Sequence, residues 1–175
     1  MWMNETLLAS ANVIPVGIGE VHATDIRDIE IVAYGFGSCV GVVVYDEAAR
    51  AGGMAHVLLP ARSWGGGPTG LPGGPARYAD AGVRELLDRV TDLGASRRRL
   101  VAKIAGGARM FQVPGDMDML DIGARNAEAV RVALAETGVP IVAQDVGGTV
   151  GRTMRYLVGP GRVYVREPGM AEKEL

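Results

Sequence analysis

The sequence predicts an α/β (α+β) fold, a layered sandwich of mixed β-sheet with flanking helices. Strand-like segments occur early and late in the chain, and two segments with helical periodicity lie between them. The 26 glycines among 175 residues are spread between apolar segments, which indicates tight turns and close backbone approaches. The length suits a single domain over residues 1–175.

Three strand-like segments follow one another in the first third of the chain. Residues 29–34 lead into the glycine-rich turn Gly35-Phe36-Gly37-Ser38. Residues 39–45 are apolar on both faces, which is typical of a buried strand. Residues 53–59 form the third segment, which Pro60 ends. A short polar turn, residues 46–50, joins the second segment to the third.

Two helices are predicted in the middle of the chain, at residues 76–93 and 122–137. Gly94 and Gly138 are placed to end them, and Asp121 is placed to cap the second. The residues expected to face inward are Ala79, Val83, Leu86, Leu87 and Val90 in the first helix, and Ile122, Ala129, Val130, Ala133 and Leu134 in the second. Asn126 is interpreted as a residue that caps or staples the second helix.

The remaining segments complete the predicted sheet. Strands are expected at residues 100–104 and 139–146, and a closing hairpin at residues 155–158 and 162–166. A Gly/Pro-rich loop without periodicity covers residues 62–75 and includes Trp64.

Composition excludes several classes of protein. The net charge of −2 and the 22 % of charged residues are ordinary for a soluble globular protein and give no basic surface for nucleic acid. The chain has no run of 18 apolar residues, so we expect no membrane insertion. The N-terminal residues lack the basic region of a secretory signal, which favours a cytoplasmic location.

Cys39 and His56 are the candidate catalytic residues. Cys39 follows a turn of small residues, where Gly37 and Ser38 allow close approach of a substrate and offer N–H groups to an oxyanion. His56 is the single polar side chain of its strand-like segment. If the two strands are neighbours, the pair can act as nucleophile and base, and pairing lowers the thiol pKa below its free value of about 8.5. A buried structural thiol and a core histidine remain the alternatives.

Metal and nucleotide sites are not predicted. One cysteine and two histidines at these spacings fit no zinc pattern. Gly35-Phe36-Gly37 lacks the third glycine and the following helix of a dinucleotide-binding turn. We therefore expect no cofactor.

The chain resembles the CheD family of chemoreceptor glutamine deamidases from about Val16 to Arg166. The segments that carry the resemblance are GFGSCVGVVVYD (35–46), GGMAHVLLP (52–60), YADAGVRELLDRVTDLGA (78–95), AKIAGGARMF (102–111), IGARN (122–126), PIVAQDVGGTVGR (140–152) and GRVYVR (161–166). The resemblance implies hydrolysis of receptor glutamine side chains to glutamate, and in some members of glutamyl methyl esters. It further implies a CheD-like cysteine hydrolase fold, similar to the cytotoxic necrotizing factor deamidases. Chemoreceptor helices and a CheC-type phosphatase are the implied partners.

The resemblance places the family's cysteine and histidine at Cys39 and His56. The family's third catalytic residue is typically a threonine six positions before the cysteine, where this chain has Ala33. The role of orienting His56 must then pass to a backbone carbonyl or to Ser38 or Tyr34, or be lost. A binding module that regulates a phosphatase or receptor, and a cysteine hydrolase with another substrate, therefore stay open as alternatives.

Overall fold

The computed structural model describes residues 12–62, 73–110 and 121–175. Most of the predicted Gly/Pro loop, including Trp64, lies outside the described residues. The elements are β1 (Val13–Pro15), β2 (Val21–Thr24), β3 (Glu30–Phe36), β4 (Val40–Asp46), β5 (Ala51–Val57), α1 (Ala79–Asp92), β6 (Val101–Gly106), α2 (Ile122–Glu136), β7 (Ile141–Val146), β8 (Arg152–Leu157), β9 (Arg162–Arg166) and β10 (Lys173–Glu174).

The strands form two five-stranded sheets. The outer sheet has the order β1-β3-β8-β9-β10, and the central sheet has the order β2-β5-β4-β6-β7. Each sheet contains one parallel pair, β1 with β3 and β6 with β7, and its other neighbouring strands are antiparallel. The predicted sandwich of mixed β-sheet with helices is confirmed.

The alternation of side chains along β4 divides the core into two layers. Val40, Val42 and Val44 pack with both helices on one face of the central sheet. Cys39 and Val43 pack on the other face, against outer-sheet residues such as Met154. The central sheet therefore lies between the helices and the outer sheet, and β4 and β5 are covered on both faces. This explains why β4 reads as a continuous apolar run.

The helices match the sequence pattern in most respects. All five residues predicted to face inward in α1 are buried, and the N–H of Gly94 bonds to the carbonyl of Thr91 at the helix end. Asp121 caps α2 by accepting a hydrogen bond of 2.9 Å from the N–H of Ala124, as predicted. Neither helix in the described part of the chain is long and apolar enough to cross a membrane.

The buried face of α2 differs from the prediction. Ile122 and Ala129 are half-buried, whereas Asn126 and Ala127 are buried together with the expected Val130, Ala133 and Leu134. The helix is rotated so that its inward stripe contains a polar residue, which an apolar periodicity cannot anticipate. Of the two roles considered for Asn126, capping is wrong, because Asp121 caps α2, whereas stapling agrees with the bonds from Asn126 to the carbonyls of Ser38 and Leu58.

Candidate active site

Cys39 lies directly before β4, in the layer between the two sheets, and is 8 % exposed. Its carbonyl accepts a hydrogen bond of 2.8 Å from the N–H of Gly107. Gly106 has φ 112° and passes so close to that carbonyl that a side chain would collide with it. A glycine at this position lets β6 hold the main chain around Cys39 in place.

His56 lies on β5 directly opposite Gly41 of β4, and the two strands are neighbours as the sequence analysis required. Cys39 precedes Gly41 by two residues, so its side chain shares the face of the sheet with His56. The Phe36 ring fills the space that Gly41 leaves empty and packs on the imidazole, with ring centroids 4.4 Å apart. The structure thus brings Cys39 and His56 to the same end of the layer between the sheets.

The segment between β1 and β2 fixes the imidazole. Nδ1 of His56 lies 3.2 Å from the carbonyl oxygen of Val16. The main chain of His56 is held by the same segment, since its carbonyl accepts from Gly19 and its N–H donates to Glu20. A carbonyl only accepts hydrogen bonds, so Nδ1 carries the proton and Nε2 is the basic nitrogen.

Of the three candidate partners that could orient the imidazole, a backbone carbonyl, Ser38 and Tyr34, the structure contains the backbone carbonyl, which is that of Val16. Tyr34 is 64 % exposed, and the Ser38 hydroxyl bonds to none of the described residues. The imidazole keeps an orienting partner although Ala33 carries no hydroxyl.

The thiol and the imidazole are not hydrogen-bonded to each other. Within the described residues, the buried Nε2 of His56 has no hydrogen-bond partner. Burial raises the pKa of the Cys39 thiol to about 11. Burial also lowers the pKa of His56, against the weaker opposing effects of the Val16 carbonyl and the Glu20 carboxylate. Both groups are consequently neutral when no substrate is bound. The raised thiol pKa is the opposite of the lowered thiol pKa that a paired cysteine would have.

The turn before Cys39 offers backbone donors. The carbonyls of Gly37 and Ser38 point into the protein, where they accept from the N–H of Ala108 and from Nδ2 of Asn126. The N–H groups of Ser38 and Cys39 belong to the same two peptide units and donate to no described carbonyl. In a trans peptide the N–H points opposite to the carbonyl, so the Cys39 N–H faces away from α2 and the Ser38 N–H faces away from Ala108.

Asn126 is a residue of the site that sequence reasoning missed. It is fully buried on α2, and its Nδ2 donates hydrogen bonds of 2.9 Å to the carbonyls of both Ser38 and Leu58. The available signal was an amide within a buried helical stripe, since such a group requires partners.

No group of three or more His, Cys, Asp or Glu side chains arranged to hold a metal ion occurs in the described ranges. A surface pocket of about 470 Å³ lies at the opposite end of the β4–β5 hairpin and is lined by Tyr45, Asp46 and Tyr156, among others. That pocket contains neither Cys39 nor His56, so it is separate from the pair.

Comparisons with known proteins agree on one family. The model of the family CheD, described as CheD chemotactic sensory transduction, matches residues 58–167. A protein of Symbiobacterium thermophilum named probable chemoreceptor glutamine deamidase CheD is 50 % identical over 160 residues, which cover 91 % of this chain and 95 % of that protein. The chemoreceptor glutamine deamidase CheD of Halalkalibacterium halodurans is 43 % identical over 141 residues, covering 81 % of this chain and 85 % of that protein.

The family match begins after the candidate pair, but the similarity to the first relative includes it. An aligned stretch of 160 residues in a chain of 175 spans both Cys39 and His56. Among solved structures, a Neisseria meningitidis protein of the family DUF152 has a TM-score of 0.45 and 12 % identity, covering 83 % of this chain and 69 % of that chain. This structural likeness is too distant to inform the chemistry.

Proposed function

Given that the chain belongs to the CheD family, we propose that it is a protein-glutamine deamidase, which hydrolyses side-chain amides of specific chemoreceptor glutamines to glutamate. The observation that supports this proposal best is the unpartnered Nε2 of His56. Its ring is oriented through Nδ1 and lies on the face of the central sheet that also carries Cys39. A base with its orienting bond made and its basic nitrogen free suits proton transfer.

The proposed reaction begins with a neutral pair. As the substrate amide reaches the site, Nε2 of His56 takes the proton of the Cys39 thiol, and the sulfur attacks Cδ of the glutamine. The tetrahedral intermediate collapses when the imidazolium donates its proton to the leaving amine, which departs as ammonia. Water attacks the resulting thioester with His56 again as base, and this step releases glutamate and the free thiol.

The oxyanion of the intermediate needs donors, and the turn before Cys39 offers them. The N–H groups of Ser38 and Cys39 are held in direction by the bonds that their peptide carbonyls accept from Ala108 and Asn126. Donors fixed in advance stabilise a developing charge without a reorganisation cost, and one such donor is worth about 10²–10³-fold in rate. We assign Gly37 a steric role, because a side chain there would lie 2.8 Å from Met110.

A second candidate function is a CheD-like binding module without turnover, which regulates a chemotaxis phosphatase or receptor. The observation that favours it is the buried thiol, whose pKa of about 11 leaves little thiolate at neutral pH. The missing hydrogen bond between Cys39 and His56 points the same way, although catalytic hydrogen bonds often form only when substrate is bound.

The proposed reaction sets the proposed substrate, namely the cytoplasmic helices of chemoreceptors, and with it a proposed location in the cytoplasm. A CheC-type phosphatase is proposed as a binding partner on the resemblance to the CheD family alone. Each deamidation adds one negative charge to a receptor helix.

Mass spectrometry of a receptor cytoplasmic fragment tests the proposal. Incubation with the wild-type protein is expected to convert particular glutamines to glutamate, and Cys39→Ala is expected to abolish the conversion while the protein stays folded. Cys39→Ser is the matched control, because it removes the sulfur but keeps the shape of the side chain. Binding of the fragment without conversion would favour the binding module, and conversion by folded Cys39→Ala would remove Cys39 from the mechanism.

A further inference from the structure

A buried asparagine connects the two candidate catalytic segments from the helix side of the central sheet. Asn126 is 0 % exposed, and its Nδ2 lies 2.9 Å from the carbonyl oxygen of Ser38 and 2.9 Å from that of Leu58. Ser38 directly precedes Cys39, and Leu58 follows His56 by two residues. Both partners are carbonyls and only accept, so the amide nitrogen must face them.

We propose that Asn126 is the positioning residue that sets the direction of the Cys39 N–H and the spacing between the nucleophile turn and the end of β5. This inference rests on the proposed function. Asn126 belongs to the helix layer, whereas Cys39 faces the layer between the sheets. It therefore does not touch the reacting atoms and acts through the main chain.

The shared peptide unit explains how a residue behind the sheet acts on the reaction. The Ser38 carbonyl and the Cys39 N–H are the two ends of one planar trans peptide. A bond that fixes the carbonyl toward α2 fixes the N–H in the opposite direction, toward the layer that contains the thiol. The Cys39 N–H also acts to lower the pKa of the thiol, against the larger effect of burial. This direction turns the Cys39 N–H toward the side on which the oxyanion of a Cys39 adduct would form.

The energetics of Asn126 favour a positioning role over a purely stabilising one. Its Oδ1 is buried and accepts no hydrogen bond from the described residues. A buried acceptor without a partner destabilises the fold, and this loss offsets much of what the two donated bonds contribute. For helix packing alone, an apolar side chain of the same shape would serve as well.

The test compares Asn126→Leu, which keeps the shape of the side chain and removes both donors, with Val130→Ala. Val130 is fully buried on the same face of α2, one turn further along, and it bonds to neither segment. Both variants are measured at equal folded fraction, which urea unfolding establishes. We expect Asn126→Leu to lower kcat on a receptor fragment about 10–100-fold with little change in KM, and Val130→Ala to leave both unchanged.

A second readout depends on the oxyanion but not on the receptor. Butanal adds to a thiol to give a hemithioacetal, in which the carbonyl oxygen becomes the oxyanion or hydroxyl, whereas iodoacetamide alkylates the thiol without forming one. We expect Asn126→Leu to weaken the protection that butanal gives Cys39 by about tenfold or more and to leave the iodoacetamide rate itself within about threefold.

The outcomes separate this inference from the proposed function. Equal kcat and equal butanal protection in wild type and Asn126→Leu would overturn the positioning role, and so would an equal loss in Val130→Ala. If the wild type converts no receptor glutamine but Asn126→Leu still weakens butanal protection selectively, the positioning role stands and the proposed substrate falls.

Discussion

Each end of the β4–β5 hairpin buries a polar side chain, but the two side chains differ in how completely they are hydrogen-bonded. At one end, Asp46 is buried and accepts hydrogen bonds from the N–H groups of Ala48, Ala49 and Ser96 and from the Arg99 guanidinium. At the other end, His56 is equally buried, but Nε2 has no partner within the described residues.

Different physical effects determine the pKa values of Asp46 and His56. Burial acts to raise the pKa of Asp46, but the bonds from Arg99, Ser96 and Ala49 outweigh it and hold the carboxyl at about 2. The pKa of His56 is lowered mainly by burial, because the opposing effects of the Val16 carbonyl and the Glu20 carboxylate are too weak to outweigh it. A fully bonded buried charge stabilises a fold, whereas an unsatisfied basic nitrogen costs stability and remains available for chemistry. The comparison predicts that changes at the His56 end affect turnover and changes at the Asp46 end affect stability.

The largest effect is expected for His56→Asn. The asparagine amide reproduces the donor at the Nδ1 position, so it keeps the bond to Val16, but it has no counterpart of Nε2. Turnover of a receptor fragment should fall about 10²–10⁴-fold, the usual contribution of a general base, with little loss of stability. Single-turnover mass spectrometry and urea unfolding measure the two quantities. Unchanged turnover would mean that Nε2 is not the base.

At the other end, Asp46→Asn should cost about 1–3 kcal/mol in the free energy of unfolding and leave turnover per folded molecule unchanged. Because the folded pKa is lowered, the contribution of Asp46 is fully present above its ordinary pKa near 4 and is lost as the pH falls toward 2. Urea unfolding at pH 7 and at pH 3 measures this. Glu47→Gln changes the charge of the exposed neighbour and is the control. A loss of turnover in folded Asp46→Asn would contradict the division between the two ends.

A smaller effect is expected for Ala33→Thr. Because this chain has alanine where the family typically has threonine, the sequence alone predicts that a hydroxyl at position 33 raises the deamidation rate. The structure revises this expectation, since the Val16 carbonyl already orients the imidazole. Turnover should change less than about threefold, against the 10²–10⁴-fold scale of a lost base. Ala33 is fully buried, so the added volume should cost about 1–3 kcal/mol. A large rate gain at equal folded fraction would show that the carbonyl orients His56 poorly.

The elements with strong periodicity were predictable from the sequence. The five inward residues of α1 and the cap at Asp121 followed from local patterns. The pairing of β4 with β5, which brings Cys39 and His56 to one face, followed from the short polar turn between them. Strands β1, β2 and β10 have two to four residues each, too few for an alternation to be visible.

The missed parts of the site depend on contacts between distant segments. Val16 acts through its carbonyl, which every residue has, so the side chain carries no signal. Asn126 bonds to main-chain atoms 88 and 68 positions away. The raised thiol pKa results from burial in the layer between the sheets, and only the packing of the outer sheet creates that burial.

The pH dependence of Cys39 alkylation by iodoacetamide tests the contrast between the two ends most directly, because Cys39 is the sole thiol in the sequence. Burial without a charge partner predicts that the rate rises only well above the free-thiol pKa of about 8.5. The apparent pKa should lie near 11 and stay there in His56→Asn, since no bond joins the two side chains at rest. A reactive thiolate below pH 8.5 that His56→Asn abolishes would contradict the neutral pair and establish a preformed ion pair.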